Sequence, residues 1–108
     1  MYKSNTSAVI VRGARFMPCT LIDENSGKTY EINVKEPKLK VYKMFEKLND
    51  ESSVDEIIDA AAAILNSNKE NIRITSEFVE ENLSLDEVAQ LFDDFTSWIK
   101  SARTNNPN

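Results

Sequence analysis

The sequence predicts an α+β fold, with a small N-terminal antiparallel β-hairpin or meander followed by a mainly α-helical body of about four helices. Three observations carry that expectation. Runs rich in β-branched and aromatic residues are confined to residues 8–34. Two Ser-x-x-Glu signatures, Ser53 with Glu56 and Ser84 with Glu87, mark helix starts farther along. From Leu85 onward, apolar residues recur at three- and four-residue spacing through Val88, Leu91, Phe92, Phe95, Trp98, Ile99 and Ala102.

With 108 residues the chain has room for one modest core, so residues 1–108 are read as a single domain. Its parts are a β segment over 8–34, a helical body over 37–102 and a disordered tail over 103–108, with residues 1–7 as a frayed end. Met1 to Ser7 is polar, and no stretch approaches the roughly 18 apolar residues of a membrane span. A cytoplasmic protein that does not engage membranes is expected.

Within the β segment the runs are AVIV at 8–11, FMPCTLI at 16–22 and KTYEINV at 28–34. Arg12 to Arg15 is read as the first turn and Asp23 to Gly27 as the second. Alternation groups Tyr30, Ile32 and Val34 on the inner face and leaves Thr29, Glu31 and Asn33 toward water. Pro18 cannot donate to a ladder, which predicts an edge or bulge position for its strand.

Glu36-Pro37 closes the sheet and opens a helix, proline being tolerated in a first helical turn. Leu39, Tyr42, Phe45 and Leu48 set its apolar face, widened by Val41 and Met44. The second helix starts at the Ser53/Glu56 capping box and presents Val54, Ile57, Ile58, Ala61, Ile64 and Leu65. Asn66 to Asn71 stops it. Thr75 then caps a short helix to Asn82, with Ile74 and Val79 as a hydrophobic staple; Leu83 and Val88 play that part for the last helix. Asp86, Glu87, Gln90, Asp93, Asp94 and Lys100 are assigned to its polar side.

Composition excludes much chemistry. There is no histidine, and the single cysteine, Cys19, sits in an apolar run that reads as a buried core thiol. Asp23, Asn25 and Gly27 begin like a calcium loop, but Lys28 and Val34 occupy the sixth and twelfth positions, where glycine and a bidentate glutamate are needed. Only Gly13 and Gly27 are glycines, too few for a phosphate-binding loop. The adjacent pairs Glu80-Glu81 and Asp93-Asp94 diverge around their helices, by about 100° per residue, and are read as solvated faces. No catalytic, cofactor-binding or metal-ligating residue is assigned, no cofactor is expected, and the chain is not read as an enzyme.

Charge is divided unevenly. Residues 1–50 hold nine Lys/Arg against six Asp/Glu, whereas residues 51–108 hold four against twelve. The acidic second half disfavours nucleic acid as a partner. Lys38, Lys40, Lys43 and Lys47, with Lys35, populate the solvent side of the first helix. Attraction between that face and the acidic helices of another copy is one route to a homo-oligomer.

The run AAAILNSNKENIRITSEFVEENLSLDEVAQLFDDFTSWI resembles the tail assembly chaperones of long-tailed, siphovirus-type bacteriophages and prophages. The resemblance covers Asp55 to Ile99. It consists of an alanine-rich helix ending in Ile-Leu, an I-T-x-E-F-x-x-E-x-L segment at Ile74 to Leu83, an L-S-L-D-E-x-x-x-L-F opening at Leu83 to Phe92, and the closing pair Trp98-Ile99. It implies a non-enzymatic protein of the bacterial host cytoplasm that binds the helical tape-measure protein and recruits tail-tube protein around it. It also implies that this chain would be the short form where a ribosomal frameshift yields a longer one. Phe78, Val79, Phe92, Phe95, Trp98 and Ile99 are the residues expected to serve the partner, with Phe95 and Trp98 foremost because large aromatics concentrate at interface hot spots. Ser84-Leu85 is also similar to the modified serine of acyl carrier proteins; Leu83 stands where those carry aspartate, and Ser84 reads as an N-cap. The alternative function is a small acidic helical adaptor or regulatory domain for another protein.

Overall fold

A computed structural model of the chain describes residues 1–4 and 15–104. Three strands, β1 (Tyr2–Ser4), β2 (Met17–Ile22) and β3 (Thr29–Val34), precede four helices, α1 (Leu39–Glu46), α2 (Val54–Asn66), α3 (Ser76–Asn82) and α4 (Leu85–Thr104). The sheet is antiparallel in the order β1-β2-β3. The α+β class and the number of helices are as the sequence predicts.

The β2–β3 hairpin turns through Asp23 to Gly27. The Asp23 carboxylate accepts from the backbone N–H groups of Asn25 and Ser26, and Gly27 takes the positive φ of 75° that closes the turn. Register sets Met17 opposite Val34, Cys19 opposite Ile32 and Tyr2 opposite Leu21. All six are buried on the face that packs against the helices.

Two expectations for this region are corrected. Residues 1–4 are not part of a frayed end, because Tyr2–Ser4 pairs with β2 and Tyr2 is only 5% exposed; residues 5–7 lie outside the described residues. Pro18 lies on the central strand rather than on an edge. Its partner Asn33 turns its backbone groups outward, donating its N–H to Glu70 and accepting from the Lys69 N–H. Pro18 and Asn33 therefore form a non-hydrogen-bonded pair, and the proline nitrogen faces the β1 side one residue beyond the last β1 partner, Cys19. No ladder bond between β2 and β3 is lost. The AVIV run and residues 12–14 of the first expected turn lie outside the described residues.

The outer edge of β3 is covered by the segment after α2. Lys35 N–H donates to the Ser67 carbonyl, and the Glu70 carboxylate accepts from both the backbone and the side chain of Asn33. Buried Asn68 holds this segment by donating to the Leu65 and Ile72 carbonyls and accepting from the Ile72 N–H.

Both capping boxes form. Glu56 N–H donates to Ser53 Oγ while Ser53 N–H donates to the Glu56 carboxylate, and Ser84 with Glu87 repeats the exchange. Thr75 Oγ1 accepts from Phe78 N–H. Ile64, Leu65, Ile74, Val79, Val88, Leu91, Phe95 and Trp98 join the inner face of the sheet in one core. Each large side chain buried this way is worth about 1.5–3 kcal/mol.

Three residues assigned to buried stripes are outside the core. Leu39 is 78% exposed, Leu85 67% and Val54 64%. Each is the first residue of its helix. Cα–Cβ bonds tilt toward a helix N-terminus, so a side chain there points past the end of the helix and has no preceding turn to cover. Leu48 falls after α1 ends rather than within it. At the other end, α4 continues to Thr104, so residues 103 and 104 are helical where a disordered tail was expected; residues 105–108 lie outside the described residues.

Candidate interaction surface

The residues expected to serve a partner do not converge. Phe95 and Trp98 are buried in the core, with ring centroids 6.1 Å apart. The expectation that they would stand out from the core is corrected: the inner stripe of α4 faces the sheet and α1, which leaves them no route to solvent. Phe78 is half-buried edge-on against Tyr30 of β3, centroids 6.0 Å apart, and Ile99 is half-buried against the core. Val79 is buried, at the floor of a small cleft. Phe92 lines an open groove.

That groove runs between α1, α2 and α4. Phe45, Leu48, Ile57 and Phe92 supply its apolar wall, and Asn49, Asp93 and Thr96 its polar rim. The rings of Phe45 and Phe92 meet edge-on with centroids 5.2 Å apart, so the wall is shaped rather than loose. Phe45, Leu48 and Ile57 are not among the residues expected to serve a partner; their helical spacing marks them as core, and only the tertiary arrangement leaves them half covered.

Ile57 also borders a second cleft, of about 180 Å³, where the start of α2, the end of α3 and the start of α4 meet. Val54 and Leu85 are both among its lining residues. Glu80 lines it too, and from there a trough between α2 and α3 continues past Asp55, Asp59, Glu77 and Glu81. Neither the cleft nor the trough is lined by a basic residue. On α1 and its two ends, Lys38, Lys40, Lys43 and Lys47 are all exposed.

Electrostatics concentrate where β1 meets α4, and here the polar side expected for α4 is corrected. Asp94 is only 6% exposed, because its carboxylate accepts from the Tyr2 hydroxyl at 2.5 Å and from Gln90 Nε2 at 2.8 Å. Burial, reinforced by that bond to a carboxylate, raises the Tyr2 hydroxyl far above the usual tyrosine range. Glu87, already in its capping box, also accepts from Tyr2 N–H at 2.9 Å. Its partial burial opposes ionisation, but the donors from Ser84 and Tyr2 and the nearby amino group outweigh that and hold its carboxyl below the usual range. The Met1 amino group donates to the carbonyls of Ile22 and Asn82. Asn82, itself buried, accepts from Glu24 N–H, so the hairpin turn, β1 and α3 share one anchor.

Cys19 is fully buried, and burial, aided by Asp94 and Glu70, pushes its thiol up to about 12. Such a thiol stays protonated and packs as a small apolar side chain. Among the described residues, no group of three or more His, Cys, Asp or Glu is placed to hold a metal ion, and no helix is long and apolar enough to cross a membrane. The polar cluster around Tyr2 and Asp94 thus reads as an anchor, and the two clefts as the half-open apolar surface of the helical body. Set against protein-family models, curated proteins and solved structures, the chain matches none.

Proposed function

We propose that this chain is a non-enzymatic tail assembly chaperone of a long-tailed bacteriophage or prophage, which binds the tape-measure protein in the bacterial cytoplasm and assists assembly of the tail tube around it. The observation that carries this reading is the succession of motifs between Asp55 and Ile99, from the alanine-rich helix to Trp98-Ile99. The groove of Phe45, Leu48, Ile57 and Phe92 offers a physical means. A tape-measure chain exposes apolar helical surface until the tube encloses it, and a half-open apolar groove with a polar rim covers such a helix reversibly. The buried Phe95 and Trp98 support that wall from behind, with Phe95 5.5 Å from the Phe45 ring.

The test is a pull-down with tagged chain from cells in which a prophage has been induced, followed by mass spectrometry of the retained proteins. Recovery of a very long helical protein, reduced several-fold by Phe92→Asp or Leu48→Glu in chains whose circular dichroism is unchanged, is the expected result. Recovery of host proteins alone, in cells making tails, would replace the chaperone with the adaptor reading.

A further inference from the structure

Among the described residues, Val54 and Leu85 are two of only four large apolar side chains left exposed, and both line the cleft between α2, α3 and α4. Apart from Glu80 and Ser84, that cleft is lined entirely by aliphatic side chains. Its volume of about 180 Å³ exceeds the roughly 150 Å³ cavity that accepts a benzene-sized guest, which leaves room for one leucine or isoleucine side chain. The trough that continues from it carries Asp55, Asp59, Glu77, Glu80 and Glu81 and no basic residue. We propose that cleft and trough together receive a basic amphipathic helix of a different protein, with one apolar side chain in the cleft and Lys or Arg side chains along the trough.

The two helices set the spacing of the charges. Ser76 Oγ, at the start of α3, donates to the Asp59 carboxylate at 2.7 Å, while Val54, at the start of α2, shares the cleft with Glu80 and Leu83 at the other end of α3. α3 therefore runs antiparallel along α2. Asp59 and Glu77 form a rung at one end of the trough, Asp55 and Glu81 a second rung at the other, about 6 Å away by the helical rise. A helix laid along the trough meets both rungs with basic residues four positions apart. The cleft adjoins the Asp55/Glu81 rung, so it takes an apolar residue one turn farther along the same face. The occupant thus reads apolar-x-x-x-basic-x-x-x-basic.

Charge selects the class of partner. The formal net charge of −5 repels a second copy at long range and attracts a cationic protein. At physiological salt, screening becomes effective only beyond about 8 Å, so carboxylates on neighbouring turns repel one another and a row of cations relieves that repulsion. One apolar anchor with a few exposed ion pairs makes a weak, salt-dependent contact. The cleft shares only Ile57 with the groove of Phe45 and Phe92, so the inference stands or falls apart from the chaperone reading.

NMR titration of the full, isotope-labelled chain tests it. The probe is a capped, alanine-rich helical peptide of about 14 residues, with one leucine and with lysines one and two turns after it. At low salt its addition should shift the amides of Val54, Glu80, Glu81 and Leu85 first, and high salt should reverse the change. Alanine in place of the peptide's leucine should weaken binding about tenfold, and glutamate in place of its lysines should abolish it. In the protein, Leu85→Gln removes apolar surface from the cleft without changing charge. Glu81→Lys reverses one rung of the trough in the last turn of α3, where a cation suits the helix dipole. Both should weaken the leucine-lysine peptide several-fold with circular dichroism unchanged. A spectrum unmoved by millimolar peptide, an alanine-substituted peptide that binds as well as its parent, or shifts centred on Phe92 instead of the cleft would each overturn the proposal. So would Val54 and Leu85 signals that already move on dilution of the chain alone, which would give the cleft to a second copy.

Discussion

Two elements lie against α4 and are held there in opposite ways. β1 is three residues long, yet Tyr2 is buried and its hydroxyl and its backbone N–H both donate to carboxylates of α4. α1 is eight residues long and has no fully buried residue, and its N-cap, Lys38, makes no side-chain cap bond. It is attached through half-buried side chains, against α2 and, through Tyr42 and Phe45, against Phe92 and Phe95 of α4. Length and local propensity thus say little about which element is fixed. Pairing of desolvated polar groups locks the short strand, whereas a half-open apolar contact leaves the helix among the parts of the fold that open most easily.

Phe95 is the residue whose loss should damage the α1 attachment most, since it packs against Tyr42 and Phe45 of that helix and against Trp98 of its own. Phe95→Ala should cost about 3–5 kcal/mol of stability, read as a fall in the urea midpoint. Tyr2→Phe acts on the strand alone. It removes the hydroxyl donor from the buried Asp94 carboxylate, which keeps the bond from Gln90, and should cost about 1–3 kcal/mol. A cost near zero would mean that water replaces the hydroxyl and that the strand is not locked as described.

Alkaline titration sharpens the same contrast. Tyr2 and Cys19 both have raised values in the folded state, and both are uncharged below their unfolded values, where their contribution is complete. As pH rises past about 9, first the thiol and then the phenol ionise in the unfolded chain only, and stability falls by at most about 1.4 kcal/mol per pH unit for each group. Cys19→Ala should remove the first part of that slope, and Tyr2→Phe the second. On the acid side the sign reverses. Glu70 and Glu87 are held low by the donors from Asn33, Ser84 and Tyr2, so their contribution is complete above the usual carboxylate range and disappears as pH falls through their folded values. Glu87→Gln should flatten the acid limb of the stability curve measured by urea unfolding at successive pH values.

What could be read in the sequence was whatever is decided within a few residues. The Ser53/Glu56 and Ser84/Glu87 boxes, the Thr75 cap and the Asp23 turn depend on groups three or four positions apart, and each forms as expected. Tyr2 was illegible because its partners Glu87 and Asp94 lie 85 and 92 residues away. The burial of Asp94 is hidden for the same reason: an acidic pair on a helix gives no local sign that a distant tyrosine covers one member. Leu39, Val54 and Leu85 fit the apolar period of their helices, but period alone does not register that a first residue overhangs its helix end. Least legible was which apolar residues stay half-open, since Phe92 and Phe95 are neighbours on one stripe and only the tertiary packing leaves the first half-open and seals the second.

The smallest expected effect bears on the looser of the two attachments. Lys38 has an extended backbone, with φ −70° and ψ 161°, the conformation an N-cap needs, and lacks only an acceptor on its side chain. Lys38→Asp would supply a carboxylate to the N–H groups of the first turn, of which Val41 N–H already donates to the Lys38 carbonyl, and place negative charge at the positive end of the helix dipole. It should stabilise α1 by about 1 kcal/mol, which slows amide exchange within Tyr42 to Glu46 about fivefold, if those amides exchange by local opening. Amides of α4 near Leu91 and Phe95, which open only with the core, should be slowed less. Equal slowing in both helices would show that α1 opens only when the whole fold does, and the contrast between the two attachments would then hold for their contacts but not for their stability.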